Sequence, residues 1–212
     1  MTDLQDLVAP TLTGLADLLD TGGQGAHVGD TSGSSALADA WTRPSLCEGW
    51  TVAHLVAHVT MPARLTPEQW GAEMAAAGGD FGFLSNAVAA RDSALPRGEL
   101  LDQLRSPELH AWQPPGGGAA GALSHAVIHS LDVTVALDVP TVAPQEAVVA
   151  VLEAVTATGG SWFGVDLSGV LLAATDADWS WGSGEALRAP LGDLVSLVSG
   201  RTLPDGRSLP RG

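Results

Sequence analysis

Apolar residues recur every three or four positions along most of the chain, the stripe that an amphipathic helix turns toward a core. Leu4, Leu7, Val8, Leu12, Leu15, Leu18 and Leu19 form the first stripe, and Pro10 within it predicts a helix start or kink. Thr51 suits a helix N-cap; Val52, Leu55, Val56 and Val59 then predict a helix to about residue 60, which Pro62 ends or kinks. Thr66 followed by Pro67 opens another short helix, and helical spacing returns over 81–93 and 97–105. "QPPGGG" at 113–118 is a break. Residues 119–137 have uninterrupted helical composition, and Val148, Val149, Val151, Leu152 and Val155 predict a helix over 145–158.

Beyond that point the pattern changes. "GVLLAATDADWSWGSGEALRAP" alternates short apolar runs with turn residues, as two or three strands of a small antiparallel sheet would. "LGDLVSLVSGR" returns to helical spacing and stops at Gly200, a C-cap glycine. The fold expected is mainly α: a helical bundle over residues 1–158 and a small α+β domain over 159–212. The segment 21–35, "TGGQGAHVGDTSGSS", reads as loop.

Composition narrows the function classes. The 24 acidic residues outnumber 9 basic ones, all arginine, and a net charge of -15 argues against nucleic acid or an anionic membrane as partner. The single cysteine, Cys47, excludes an intramolecular disulfide and a cysteine-only zinc site, and fits a reducing cytoplasm. "MTDLQDLVAP" lacks the basic and long apolar stretches of a signal peptide, and no window holds about eighteen uninterrupted apolar residues. The expected location is cytoplasmic.

Candidate chemistry lies in the histidines. "CEGWTVAHLVAHVT", residues 47–60, carries His54 and His58; "GALSHAVIHSLDVTVAL", residues 121–137, carries His125 and His129 at the same spacing. Residues four apart share one helix face, about 6 Å between Cβ atoms, so each pair could share a metal with ligands from a facing helix. One such pair is weak evidence. Two on apolar helices are stronger, because burying several imidazoles without partners is costly. Val52, Leu55, Val56 and Val59 surround His58 more closely than His54, which could equally face solvent; periodicity alone does not settle it. Asp132, three residues after His129, either accepts that imidazole's second N–H or is an ordinary exposed helix acid. Arg201 either neutralises the last helix's C-terminus or faces an anionic substrate group. Cys47 has no base placed beside it and reads as structural, while His27 and His110 fall in loop-like segments and are assigned nothing.

"PSLCEGWTVAHLVAHV" followed by "SHAVIHSLDVTVAL" resembles the DinB-like superfamily, in particular its mycothiol-dependent maleylpyruvate isomerase family; "ATDADWSWGSGEALRAPLGDLVSLVSGR" is similar to that family's C-terminal region. The resemblance implies a DinB-like four-helix bundle holding a divalent metal, usually zinc, with a small C-terminal domain behind it. It places the first ligand on His58 and the last on His129. The family's glutamate position is occupied by His125, giving an all-histidine triad that is one unit more positive. The resemblance also implies mycothiol, a low-molecular-weight thiol, as cosubstrate. A metal with an open position deprotonates such a thiol, and the thiolate attacks a small electrophile in a transferase or isomerase reaction. His54 is a candidate base or hydrogen-bond donor, and Arg201 a candidate catalytic contact. Two other classes stay open: a non-catalytic metal- or ligand-binding protein, and a metal-dependent hydrolase that uses water as nucleophile.

Overall fold

The leucine stripe at the N-terminus closes as a 3-10 turn, Gln5–Leu7, running into helix α1, Val8–Thr21, with Pro10 inside its first turn, where a missing N–H costs nothing. These coordinates belong to a computed structural model that describes residues 2–21 and 40–212. The glycine-rich stretch and His27 fall outside the described residues, apart from Thr21.

The remaining elements follow the hydrophobic pattern, except that Pro107–Ala111, loop-like in sequence around His110, is a short helix capped by Ser106. They are α2 (Val52–Val59), α3 (Met61–Arg64), α4 (Pro67–Ala76), α5 (Phe81–Asp92), α6 (Arg97–Leu104) and α7 (Pro107–Ala111). Then come α8 (Gly118–Leu137), α9 (Gln145–Ala157) and the closing helix α10 (Leu191–Val198). Thr66 makes a full capping box with Gln69 ahead of Pro67, so α4 starts where local chemistry places it. Thr51 is the N-cap residue of α2 but makes no side-chain cap bond; its Oγ1 lies 2.7 Å from His54 Nδ1 instead. Helix α2 ends at Val59, before Pro62, which lies in the first turn of the short α3 that follows Thr60.

Helix α8 forms the spine. It packs against α1, α2, α9 and α10, and eleven of its residues are buried. By length and composition it could cross a membrane, but 61% of that apolar window is buried inside the fold. One continuous apolar cluster runs from Leu7 through α2, α8 and α9 into Leu172, Leu194 and Leu209, so the C-terminal segment shares the bundle's core. A satellite cluster of Met61, Leu84 and Val88, with Leu65, Trp70 and Met74 against it, seats α3, α4 and α5.

The C-terminal sheet is mixed, where an antiparallel one was expected. β1 (Val170–Ala174) pairs antiparallel with β2 (Ser180–Gly182) and parallel with β3 (Glu185–Ala189), in the order β2-β1-β3. The chain leaves β2 at Gly182, passes beneath the start of β1 and returns along its other edge. At the crossing Gly184 has φ 121°, and a Cβ there would stand 2.0 Å from the Gly169 carbonyl oxygen. Only glycine fits. Alternation of apolar and polar residues is the same in both kinds of pairing, so the sequence pattern could not distinguish them.

A buried ion-pair network joins α2, α3, α5 and α6. Arg64 reaches Asp92 through Nη2 at 2.8 Å and Nε at 3.1 Å, the Ala57 carbonyl at 2.6 Å and Gln103 at 2.7 Å, while Arg91 adds a 2.6 Å bond to Asp92. Burial pushes the Asp92 carboxyl up, but the bonds from Arg91 and the charge of Arg64 outweigh it and leave the group below its ordinary value. A carboxylate with a depressed folded-state pKa stabilises the fold above its unfolded pKa, about 3.9, and loses that contribution as pH falls through the folded value. The denaturant midpoint is therefore expected to fall below about pH 4, and less steeply in Asp92→Asn. Parallel acid limbs in the two proteins would show that the network does not titrate in this way.

Candidate functional site

The packing of α2 against α8 brings His58 of one helix against His125 and His129 of the other. Ring centroids are 5.3 Å apart for His58–His125, 5.0 Å for His58–His129 and 4.8 Å for His125–His129. One ring nitrogen from each of the three lies within 4.8 Å of the other two. The Nε2 atoms of His58 and His125 are 3.3 Å apart. Tetrahedral coordination with metal–nitrogen bonds of about 2.0–2.1 Å separates ligand nitrogens by roughly 3.3–3.4 Å, so this edge fits a small divalent ion. His58 is 4% exposed, and its Nδ1 is buried with no hydrogen-bond partner among the described residues. Whichever tautomer His58 takes, contact with His125 alone leaves a nitrogen unsatisfied, an arrangement that a ligand role for Nε2 makes worthwhile.

Electrostatics keep the site ready for a cation. Burial drives His58 down to about 3, and the neighbouring His129 adds to the shift. His125 is likewise pushed well below its ordinary value, first by burial, then by His129 on its own helix and by His58 across from it. Both are neutral at physiological pH and present lone pairs. His129 Nδ1 lies 2.8 Å from Asp132 Oδ2, which directs its Nε2 away from Asp132.

Asp132 is the hub behind the histidines. It is fully buried, and Arg201 grips it with Nε on Oδ1 at 2.7 Å and Nη2 on Oδ2 at 3.0 Å. Cys47 Sγ donates to Oδ2 at 3.2 Å, and the Leu46 N–H donates to the Asp132 carbonyl at 2.9 Å. Burial alone would raise this carboxyl; the hydrogen bonds from His129 and Arg201 outweigh it and hold Asp132 well below the usual carboxylate range. Burial and the Asp132 charge push the Cys47 thiol far up, so it stays protonated. Of the two sequence readings of Asp132, the buried acceptor is what the structure contains.

Other candidates sit differently. Arg201 reaches the site from beyond α10, but its guanidinium grips Asp132 rather than standing free. His54 faces Thr51 and is not among the residues lining the central cavity. That cavity has a volume of about 1040 Å³, and His58, His125, His129 and Arg201 all line it. Much of its wall was not singled out from sequence: Trp70, Phe81, Trp112, the Pro114–Pro115 turn, Trp162 and Phe163. The "QPPGGG" break was the available signal, because a rigid proline–glycine turn beside a histidine helix is a natural cavity wall. Trp50 packs on His58 at 5.1 Å and anchors its indole N–H on Asn86 at 2.8 Å.

Fold and site together define a helical-bundle protein that gathers three imidazoles between facing helices, with a small mixed-sheet appendage beside it. Residues 30–111 match the family model described as the mycothiol maleylpyruvate isomerase N-terminal domain. The crystal structure of a mycothiol-dependent maleylpyruvate isomerase superposes with a TM-score of 0.53 at 17% identity, covering 99% of this chain and 95% of that one. A variant of that isomerase with one histidine replaced by alanine superposes with a TM-score of 0.52, also at 17% identity and with the same coverage. At this identity the likeness is one of fold. No curated protein matches the sequence.

Proposed function

We propose that the protein is a divalent-metal-dependent enzyme that uses a low-molecular-weight thiol, mycothiol in the first place, to transform a small electrophile by transfer or isomerisation. The observation that carries this reading is the 3.3 Å approach of the His58 and His125 Nε2 atoms beside His129, on the wall of a large cavity. The match of residues 30–111 to a mycothiol maleylpyruvate isomerase domain model supports the thiol.

His58, His125 and His129 would hold the ion, zinc being the natural match to three imidazoles and an open position. Such an ion supplies Lewis acidity and lowers the pKa of a thiol taken up beside it. The chain's own residues do the rest. Asp132 fixes the tautomer and direction of His129, and Arg201 fixes Asp132, so Arg201 acts as a positioning residue. Cys47 stays a thiol and donates to Asp132, leaving the nucleophile to come from outside the chain. His54, turned to Thr51, takes no part in this scheme.

Elemental analysis and turnover assays on the untagged protein test the reading. About one equivalent of metal per chain, and activity toward an electrophile that requires both metal and thiol, are expected. Metal-dependent turnover without thiol would replace the reading by a hydrolase. Bound metal with no turnover under either condition would replace it by a binding protein.

A further inference from the structure

The cavity walls carry a preference that the histidines do not. Five aromatic side chains, Trp70, Phe81, Trp112, Trp162 and Phe163, surround the space in front of the three imidazoles. They come from α4, α5, the C-cap of α7 and the 3-10 turn Ser161–Phe163, elements far apart in sequence. Two of them are exposed despite their size: Phe81 at 50% and Trp162 at 82%. Large apolar surface left open at a cavity is the usual mark of an apolar ligand's site.

Charge points the same way. Among the described lining residues there is no carboxylate, and beyond the histidines the lone ionisable group is Arg201. Its charge is already compensated by the two bonds to buried Asp132. Along the aromatic walls, away from an ion held by the three imidazoles, an anionic group would find no free side-chain cation, so at most one carboxylate of a dianion could be compensated. A protein of net charge -15 does not steer anions inward either. An unpaired carboxylate held against indole and proline surfaces loses its hydration without recompense. A volume near 1040 Å³ is also at the top of the range for sites that take drug-sized ligands, about 300–1,000 Å³.

We propose that the second substrate of this site is a neutral, predominantly apolar molecule, aromatic or extended aliphatic, and not a dicarboxylate. This rests on the reading above that the cavity is a substrate site, and it names the substrate class. The aromatic walls hold the apolar body while its electrophilic end faces the imidazole cluster.

Calorimetric titration with three unreactive probes tests it: diethyl phthalate, the phthalate dianion, which shares its ring, and myo-inositol, neutral but polar. Each is run on chelator-treated protein, so that the walls alone are read, and on zinc-loaded protein. The diester is expected to bind chelator-treated protein at least about tenfold more tightly than either control. Trp162→Ala, at an exposed position that folding does not need, is expected to weaken the diester about threefold or more with an unchanged melting temperature. A diester that binds no better than phthalate or inositol, or does not bind, overturns the proposal. Metal content and thiol-dependent turnover, measured on the same preparations, keep the two ideas apart. Diester preference without metal or turnover removes the enzyme and leaves an apolar-ligand site; metal- and thiol-dependent turnover with phthalate preferred removes only the substrate class.

Discussion

Replacing Arg201 with methionine is expected to lower folding stability by about 3–5 kcal/mol, the cost of leaving a buried charge without its partner. The two partners are not equivalent. Asp132 has a side chain 1% exposed, whereas Arg201 retains 22%. Without Arg201 the carboxylate cannot reach water and keeps only His129 and Cys47; without Asp132 the guanidinium can turn outward. Asp132→Asn is therefore expected to cost less than Arg201→Met, and the double variant less than the sum of the two. Chemical denaturation of the four proteins completes the cycle. Additive losses would mean that the pair is not coupled. Because Asp132 also orients His129, both single variants are expected to bind metal about 10–100-fold more weakly. A substrate-binding arginine would leave metal affinity unmoved, so this readout separates positioning from substrate contact.

Replacing His129 with alanine is expected to take the metal content from about one equivalent per chain to a residual level after dialysis, since two imidazoles from separate helices form a weak site. Chelation should lower the melting temperature of the parent protein and leave that of the variant unchanged. A ligand present at a hundred times its dissociation constant stabilises a fold by about 2.7 kcal/mol. His54→Ala serves as the control and should keep its metal, because His54 faces Thr51. Full retention by His129→Ala, or loss in His54→Ala, would remove the proposed ligand set.

Much of this centre was legible because its parts are local. A four-residue spacing puts His125 and His129 on one face of α8 whatever surrounds it, and the apolar neighbours of His58 turn that residue inward on α2. Other features were illegible for a common reason. Arg201 and Asp132 are 69 residues apart, and Arg64 and Asp92 are 28 apart; no periodicity links such partners, because their pairing is made by packing. The N-cap at Thr51 shows the same limit on a smaller scale. Its residue type was right for capping, yet a histidine one turn on took the hydroxyl.

The amino-acid sequence by itself determined the longer helical elements, the change of character after α9, the two histidine pairs and the acid three residues beyond the second. These follow from steric and hydrophobic rules that act within one or two turns of chain. Only the tertiary structure decided that three of those four histidines converge, that β3 runs parallel to β1, that Asp132 is gripped by an arginine from the far end of the chain, and that aromatic side chains from separate elements wall the cavity. Each of these depends on which surfaces meet across long loops, and local side-chain pattern carries no record of that choice.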